Sequence, residues 1–121
     1  MTKKNWELYA EIWSMPEKER RARLAERVTP DVTYTDPNVS LEGVKAFSDF
    51  VTQFQNDVPG GHFVITGAYA HHRRTLAHWK MLGPDSSVML IGVSVADVSE
   101  DGKFTAITGF FGGPDAQAST A

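Results

Sequence analysis

The sequence predicts an α+β domain in which N-terminal helices are wrapped by a cone-shaped, curved antiparallel β-sheet. Three observations carry that expectation. Apolar residues recur at helical spacing through the first half, with one short strand between them. The second half reads as extended runs bounded by turn residues, among them Gly83-Pro84-Asp85-Ser86 and Glu100-Asp101-Gly102. Gly67, Gly92 and Gly109 each interrupt one of those runs, and glycine inside a strand marks a bulge or bend. A sheet bent in several places curls, and its concave face needs cover, which the helices supply.

Taken in order, Trp6, Tyr9 and Trp13 fall on one face of a first helix. Ser14 and Glu17 have capping-box spacing, with Pro16 in the first turn of a second helix. Leu24, Ala25 and Val28 form its buried side, and Thr29-Pro30-Asp31 ends it and launches a strand that stops at Asp36-Pro37. A third helix runs from Leu41 to Asp57 on the stripe Val44, Phe47, Val51, Phe54 and Val58, until Pro59-Gly60-Gly61 breaks it. Four strands follow: His62 to His72, Thr75 to Leu82, Ser87 to Val98 and Lys103 to Phe111. Residues 1–112 read as a single domain and residues 113–121 as a flexible tail.

A chain of 121 residues buries about two thirds of its unfolded surface, enough for a core. The formal net charge is -3, and no basic stripe stands out, which argues against a nucleic-acid partner. Arg73-Arg74 is a pair rather than a patch, and the arginines between Lys18 and Arg27 are interleaved with glutamates, as on a solvated helix face. No apolar segment has the length of a membrane span and the first residues lack a signal core, so a cytoplasmic protein is expected. Cysteine is absent, which excludes disulfides and thiolate metal sites. Of the histidines, His71 and His72 are adjacent and face opposite ways on a strand, so no metal site is expected.

The most informative residue is Asp36. Val32, Tyr34 and Asp36 share one strand face, and a carboxylate on an apolar face is costly unless it has a partner or a task. Asp36 is thus a candidate general base at the mouth of an apolar cavity. The competing reading is that Asp36-Pro37-Asn38 is turn chemistry. Alternation places Ala77, Trp79 and Met81 inward and His78 outward; with an even turn, His72 joins the face of Trp79 as a pocket hydrogen-bonding group. Both faces of the strand Ser87 to Val98 are largely apolar, Leu90, Gly92, Ser94 and Ala96 on one and Met89, Ile91, Val93 and Val95 on the other. A sheet apolar on both sides needs cover on both, which implies a homodimer through the outer face.

In this order and spacing, several marks resemble the SnoaL-like polyketide cyclases and ketosteroid isomerases of the nuclear transport factor two-like superfamily, whose fold is a cystatin-like α+β barrel. The marks are Trp6 to Trp13, Tyr34-Thr35-Asp36-Pro37, Gly43, Pro59 to Phe63, His71-His72 followed by Trp79, Gly92-Val93-Ser94, and Asp101-Gly102-Lys103 running on to Gly109-Phe110-Phe111. The resemblance implies that Asp36 is a proton-shuttling carboxylate and Tyr9 an oxyanion-hole donor. Ser94 stands where those families place an acidic residue, a departure that leaves a hydroxyl as the third member. It further implies cofactor-free acid–base chemistry, isomerisation or aldol-type cyclisation, on a small apolar carbonyl compound held by Trp13, Phe50, Phe54, His72, Trp79 and Phe111. The alternatives are a non-catalytic binder of the same fold and, last, an epoxide hydrolase.

Overall fold

A computed structural model describes residues 2–112. The expected tail at 113–121 lies outside the described residues. In chain order the elements are α1 (Thr2–Ile12), α2 (Glu17–Arg27), β1 (Val28–Asp36), β2 (Val39–Glu42), α3 (Val44–Asp57), β3 (His62–His71), β4 (Arg74–Leu82), β5 (Val88–Val98) and β6 (Phe104–Phe111). The fold is α+β, with one curved, unclosed sheet in the order β2-β1-β6-β5-β4-β3. The helices cover its concave face. α1 packs on β3, α3 on β1, and α2 on the other two helices.

Two features of the sheet differ from expectation. It is mixed rather than antiparallel, because β1 runs parallel to β6. Parallel pairing needs a long connection, and everything from β2 to β5 lies between these strands. The second difference is β2, an edge strand whose Leu41 pairs with Tyr34 instead of opening the third helix. Gly43 separates the two at φ 92, a left-handed conformation that favours glycine, and its N–H donates to the Val32 carbonyl at 2.7 Å.

Of the three strand glycines, Gly67 sits at a bulge, where the β3–β4 register shifts between Ile65 and Gly67. Gly92 and Gly109 stay in register. Gly92 serves close approach: a Cβ there would lie 2.3 Å from the Trp79 ring and 2.5 Å from the Phe110 carbonyl oxygen. The register also shifts between Met81 and Leu82 and between Asp97 and Val98.

The Ser14–Glu17 capping box does not form. The Ser14 N–H closes the last turn of α1 on the Glu11 carbonyl, and Pro16 caps α2 without a side-chain bond. Ala25 is exposed, and the buried face of α2 is Leu24 together with Arg20, which is 0 % exposed. The Arg20 guanidinium donates to the Ser48 carbonyl (2.6 Å), Thr52 Oγ1 (2.7 Å), Gln55 Oε1 (3.1 Å) and the Met15 carbonyl (3.2 Å). It is a staple between the start of α2 and α3, made with neutral oxygens. A buried arginine is tolerable only when its donors are satisfied in this way.

Elsewhere the core is aromatic. Trp6 packs tilted against Phe104, with ring centroids 4.7 Å apart, and donates its indole N–H to Thr75 Oγ1 at 2.8 Å. Burying a side chain such as Trp6, Phe47 or Phe104 contributes about 2–3 kcal/mol each. Among the described residues no helix is long and apolar enough to cross a membrane.

Candidate functional site

A cavity of about 430 Å³ opens between the helices and the concave face of the sheet. Its inner wall is Trp6, Tyr9 and Trp13 from the α1 segment, facing Trp79 of β4, Ser94 of β5 and Phe111 of β6. Phe50, Phe54 and Phe63 close the sides. Trp13 stands at the centre, with ring centroids of Phe50, Phe54, Phe63 and Tyr34 at 5.9, 5.5, 5.6 and 5.6 Å. Edge-on and tilted packing of this kind is the favoured geometry between rings and makes the wall stiff.

Asp36 ends β1 at the cavity, half-buried. The sequence posed turn chemistry and a cavity-facing acid as alternatives, and the carboxylate does both. Oδ1 accepts the backbone N–H groups of Asn38 (2.8 Å) and Val39 (3.2 Å), which shapes the turn into β2. Oδ2 accepts the Tyr34 hydroxyl at 2.8 Å. A carboxylate has about four acceptor sites, so Oδ2 retains one for a ligand.

Ser94 accepts the indole N–H of Trp79 at 3.0 Å. That bond occupies an acceptor site on Oγ and leaves the hydroxyl hydrogen free to donate. Gly109 brings these groups together. A Cβ on Gly109 would lie 3.6 Å from Asp36 Cβ, 3.6 Å from Ser94 Oγ and 3.8 Å from the Tyr34 hydroxyl. The glycine is thus the gap around which an acid, a hydroxyl and a phenol converge.

Tyr9 is 6 % exposed, and its hydroxyl has no acceptor in a side-chain hydrogen bond among the described residues. Burial holds its pKa well above the ordinary phenol value, the Asp36 charge adds to this, and hydrogen bonding from Trp13 opposes it. Tyr34 is raised in the same sense, first by burial and then by its neighbours Tyr9 and Asp36. Both phenols therefore stay neutral donors. The arrangement supplies one carboxylate acceptor and two available hydroxyl donors, on Tyr9 and Ser94, inside an apolar chamber. Those are the parts needed to move a proton from carbon while holding an oxyanion.

Every residue singled out from the sequence lines this cavity except His72. His72 is corrected: it lies in the turn between β3 and β4, at φ 55, exposed, with Nδ1 3.1 Å from Nδ1 of His71. The register pairs His71 with Arg74, which leaves His72 in the turn itself, at no strand position. Sequence reasoning missed Tyr34, Phe63 and Asp57 as lining residues. Tyr34 was legible, since it shares a strand face with Asp36. Asp57 follows Phe50 by seven residues and Phe54 by three, so its spacing put it on the lining face, but a search for apolar positions passes over a carboxylate. Among the described residues no group of three or more His, Cys, Asp or Glu is placed to hold a metal ion.

The family model for a SnoaL-like domain matches residues 7–107. A candidate isomerase of the SnoaL-like family from Agrobacterium tumefaciens superposes with TM-score 0.86 at 23% identity, over 93% of this chain and 100% of that one. A candidate SnoaL-like polyketide cyclase from Jannaschia gives TM-score 0.65 at 14% identity, over 76% and 72% of the two chains. A hypothetical protein of ketosteroid isomerase-like fold from Catenulispora acidiphila, solved in complex with trimethylamine, gives TM-score 0.74 at 15% identity, over 90% and 85%. At these identities the likeness speaks to fold alone. No curated protein matches the chain.

Proposed function

The chain belongs to the SnoaL-like domain family, and on that premise we propose that it catalyses cofactor-free proton transfer on a small apolar carbonyl compound. The observation that carries this reading is the convergence of Asp36, Ser94 and Tyr34 around Gly109, beside the buried Tyr9, in an aromatic cavity. Asp36 removes a proton from the carbon next to the carbonyl, and the C–H electron pair moves to the oxygen. Tyr9 and Ser94 donate hydrogen bonds to that oxygen as its negative charge develops. Return of the proton from Asp36 to a different carbon isomerises the substrate. If the enolate instead attacks a second carbonyl within the same molecule, the product is a ring. Tyr34 is a positioning residue, holding the carboxylate by Oδ2.

The test is solvent exchange. Incubated in deuterium oxide with an enolisable apolar ketone, the wild type is expected to exchange the hydrogen next to the carbonyl. Asp36→Asn is expected to lose about 10²-fold or more of that rate while keeping its near-ultraviolet circular dichroism. Exchange that survives the substitution removes Asp36 as the base. A second reading, a binder without turnover, is favoured by the hydroxyl at position 94 in place of an acid and by the hydrogen bonds that already engage both oxygens of Asp36. It expects ligand affinity to survive in Asp36→Asn and no exchange from any ketone tried. Among the described residues the lining includes no arginine, so epoxide opening by an acid–arginine cluster has less support.

We propose also that the outer sheet face pairs with a second copy of the chain, in the cytoplasm. Val64, Tyr69, Met89, Ile91 and Phe110 are exposed large side chains on that face. Val93 and Phe110 pair across β5–β6, and Leu76 and Val95 across β4–β5, so the apolar surface runs over β5 and β6, while His78 and Lys80 of β4 interrupt it towards β3.

A further inference from the structure

The charges around the cavity are one-sided. Among the described residues two carboxylates line it, Asp36 and Asp57, and no lysine, arginine or histidine does. The basic residues of β4 point the other way: His78 and Lys80 alternate with Ala77, Trp79 and Met81 and are exposed on the outer face. The C-terminal end of α3 also meets the cavity, through Phe54, Asp57 and the following Val58. A helix C-terminus carries the negative pole of its dipole. Asp57 is exposed where it meets the cavity; its Oδ1 accepts the Gln53 side-chain N–H at 2.9 Å, and Oδ2 has no partner among the described hydrogen bonds. The remaining walls are aromatic faces, which attract a cation through their quadrupoles and repel an anion.

We infer that the ligand of this cavity carries a basic nitrogen, charged at neutral pH, on an otherwise apolar body. Its ammonium group sits between the aromatic wall and the carboxylates, with Asp57 as the specificity-determining residue. The inference rests on the reading of this cavity as the ligand site and does not depend on turnover. Joined to the proton-transfer reading, it makes the substrate a ketone that also bears an amine, with the carbonyl towards Tyr9 and Ser94 and the ammonium towards Asp57. The same field disfavours a ligand that arrives as an anion.

Three probes of one shape isolate charge: benzyltrimethylammonium, its neutral isostere neopentylbenzene, and benzylsulfonate. Each is titrated into the full chain, with binding read from tryptophan fluorescence, since Trp6, Trp13 and Trp79 all line the cavity. The ammonium is expected to bind about tenfold tighter than the neutral isostere, and the sulfonate not at all. Asp57→Asn is expected to reduce that preference about threefold and to leave the affinity of the neutral probe alone. Equal or tighter binding of neopentylbenzene overturns the inference and leaves the cavity as an apolar ligand site. Ammonium binding that ignores both Asp57→Asn and Asp36→Asn places the cation elsewhere and overturns it as well. Deuterium exchange separates the two proposals. Exchange of a neutral ketone without ammonium binding keeps the catalytic reading and sinks this one, and ammonium binding without exchange of any ketone does the reverse.

Discussion

Replacing Gly92 with alanine tests how the fold builds the site. The added methyl would lie 2.3 and 2.5 Å from two atoms of the Trp79 ring and 2.5 Å from the Phe110 carbonyl oxygen. The ring cannot retreat freely, because its N–H is bonded to Ser94 and its face meets Phe63 at 5.4 Å. The Phe110 oxygen is backbone, within a strand paired to β5, so it is no easier to move. Overpacking against two such neighbours costs about 3 kcal/mol. Loss of glycine's freedom in the unfolded chain returns up to about 1 kcal/mol, leaving a net loss of about 2 kcal/mol. At this size that lowers the midpoint of thermal unfolding by about 8 °C. Gly67→Ala is the matched control in the same sheet, since the new methyl meets only the His78 ring, at 3.8 Å. The control is expected to stay within about 0.5 kcal/mol of wild type. Thermal melts followed by circular dichroism, with tryptophan emission as a second probe of the Trp79 environment, measure both. A Gly92→Ala variant that melts within about 2 °C of wild type would falsify the claim that this glycine exists for close approach.

Gly109→Ala should behave oppositely. Its methyl makes only ordinary contacts, at 3.6 Å or more, so stability should hold within about 1 kcal/mol while deuterium exchange falls about tenfold or more, because the methyl fills the gap between Asp36 and Ser94. Exchange at the wild-type rate, or a loss of stability beyond about 1 kcal/mol, would contradict it. Arg20→Met removes a guanidinium bonded to Met15, Ser48, Thr52 and Gln55, and urea unfolding should register a loss of about 3 kcal/mol; a loss under about 1 kcal/mol would mean the staple is idle. Alkaline pH should destabilise the fold. Tyr9 and Tyr34 have raised pKa values when folded, so above the ordinary value of 10.0 the unfolded chain releases protons that the folded chain keeps. The slope reaches about 1.4 kcal/mol per pH unit for each tyrosine, and urea midpoints that stay flat between about pH 9 and about pH 11 would refute the burial of both. Sedimentation should find a dimer that Ile91→Lys converts to a folded monomer, since a second ammonium beside Lys80 would be desolvated in the contact without a partner; a monomeric wild type at its highest soluble concentration sinks the pairing proposal.

Much of this molecule was legible one residue at a time. The stripe Trp6, Tyr9, Trp13, the stripe along α3 and the alternation Ala77, Trp79, Met81 each report a single element's periodicity, which local geometry imposes on any buried face. From those patterns every element but β2 and most inward faces could be written down, and with them much of the cavity wall, though not Phe63 or Asp57. The failures were of other kinds. His72 depended on the length of a turn, where one residue decides whether a side chain joins a strand face or leaves it. Arg20 looked like part of a solvated run because a charge pattern does not disclose five acceptor oxygens gathered from α3 and the α1–α2 turn. The edge strand β2 was taken into a helix because four residues carry too little pattern to outweigh the apolar run after them.

Periodicity and turn chemistry, then, were written in the chain itself: which segments are helix or strand, which side of each is apolar, and that an acid ends a strand among aromatics. Tertiary structure alone decided what meets what. Asp36, Tyr34, Ser94 and Gly109 come from β1, β5 and β6, and only the parallel pairing of β1 with β6 brings them around one gap. That pairing joins segments some seventy residues apart, and its energy comes from burying faces against each other, which no local pattern encodes. The one-sided charge of the cavity has the same origin, since it depends on where the end of α3 comes to rest over the open rim of the sheet.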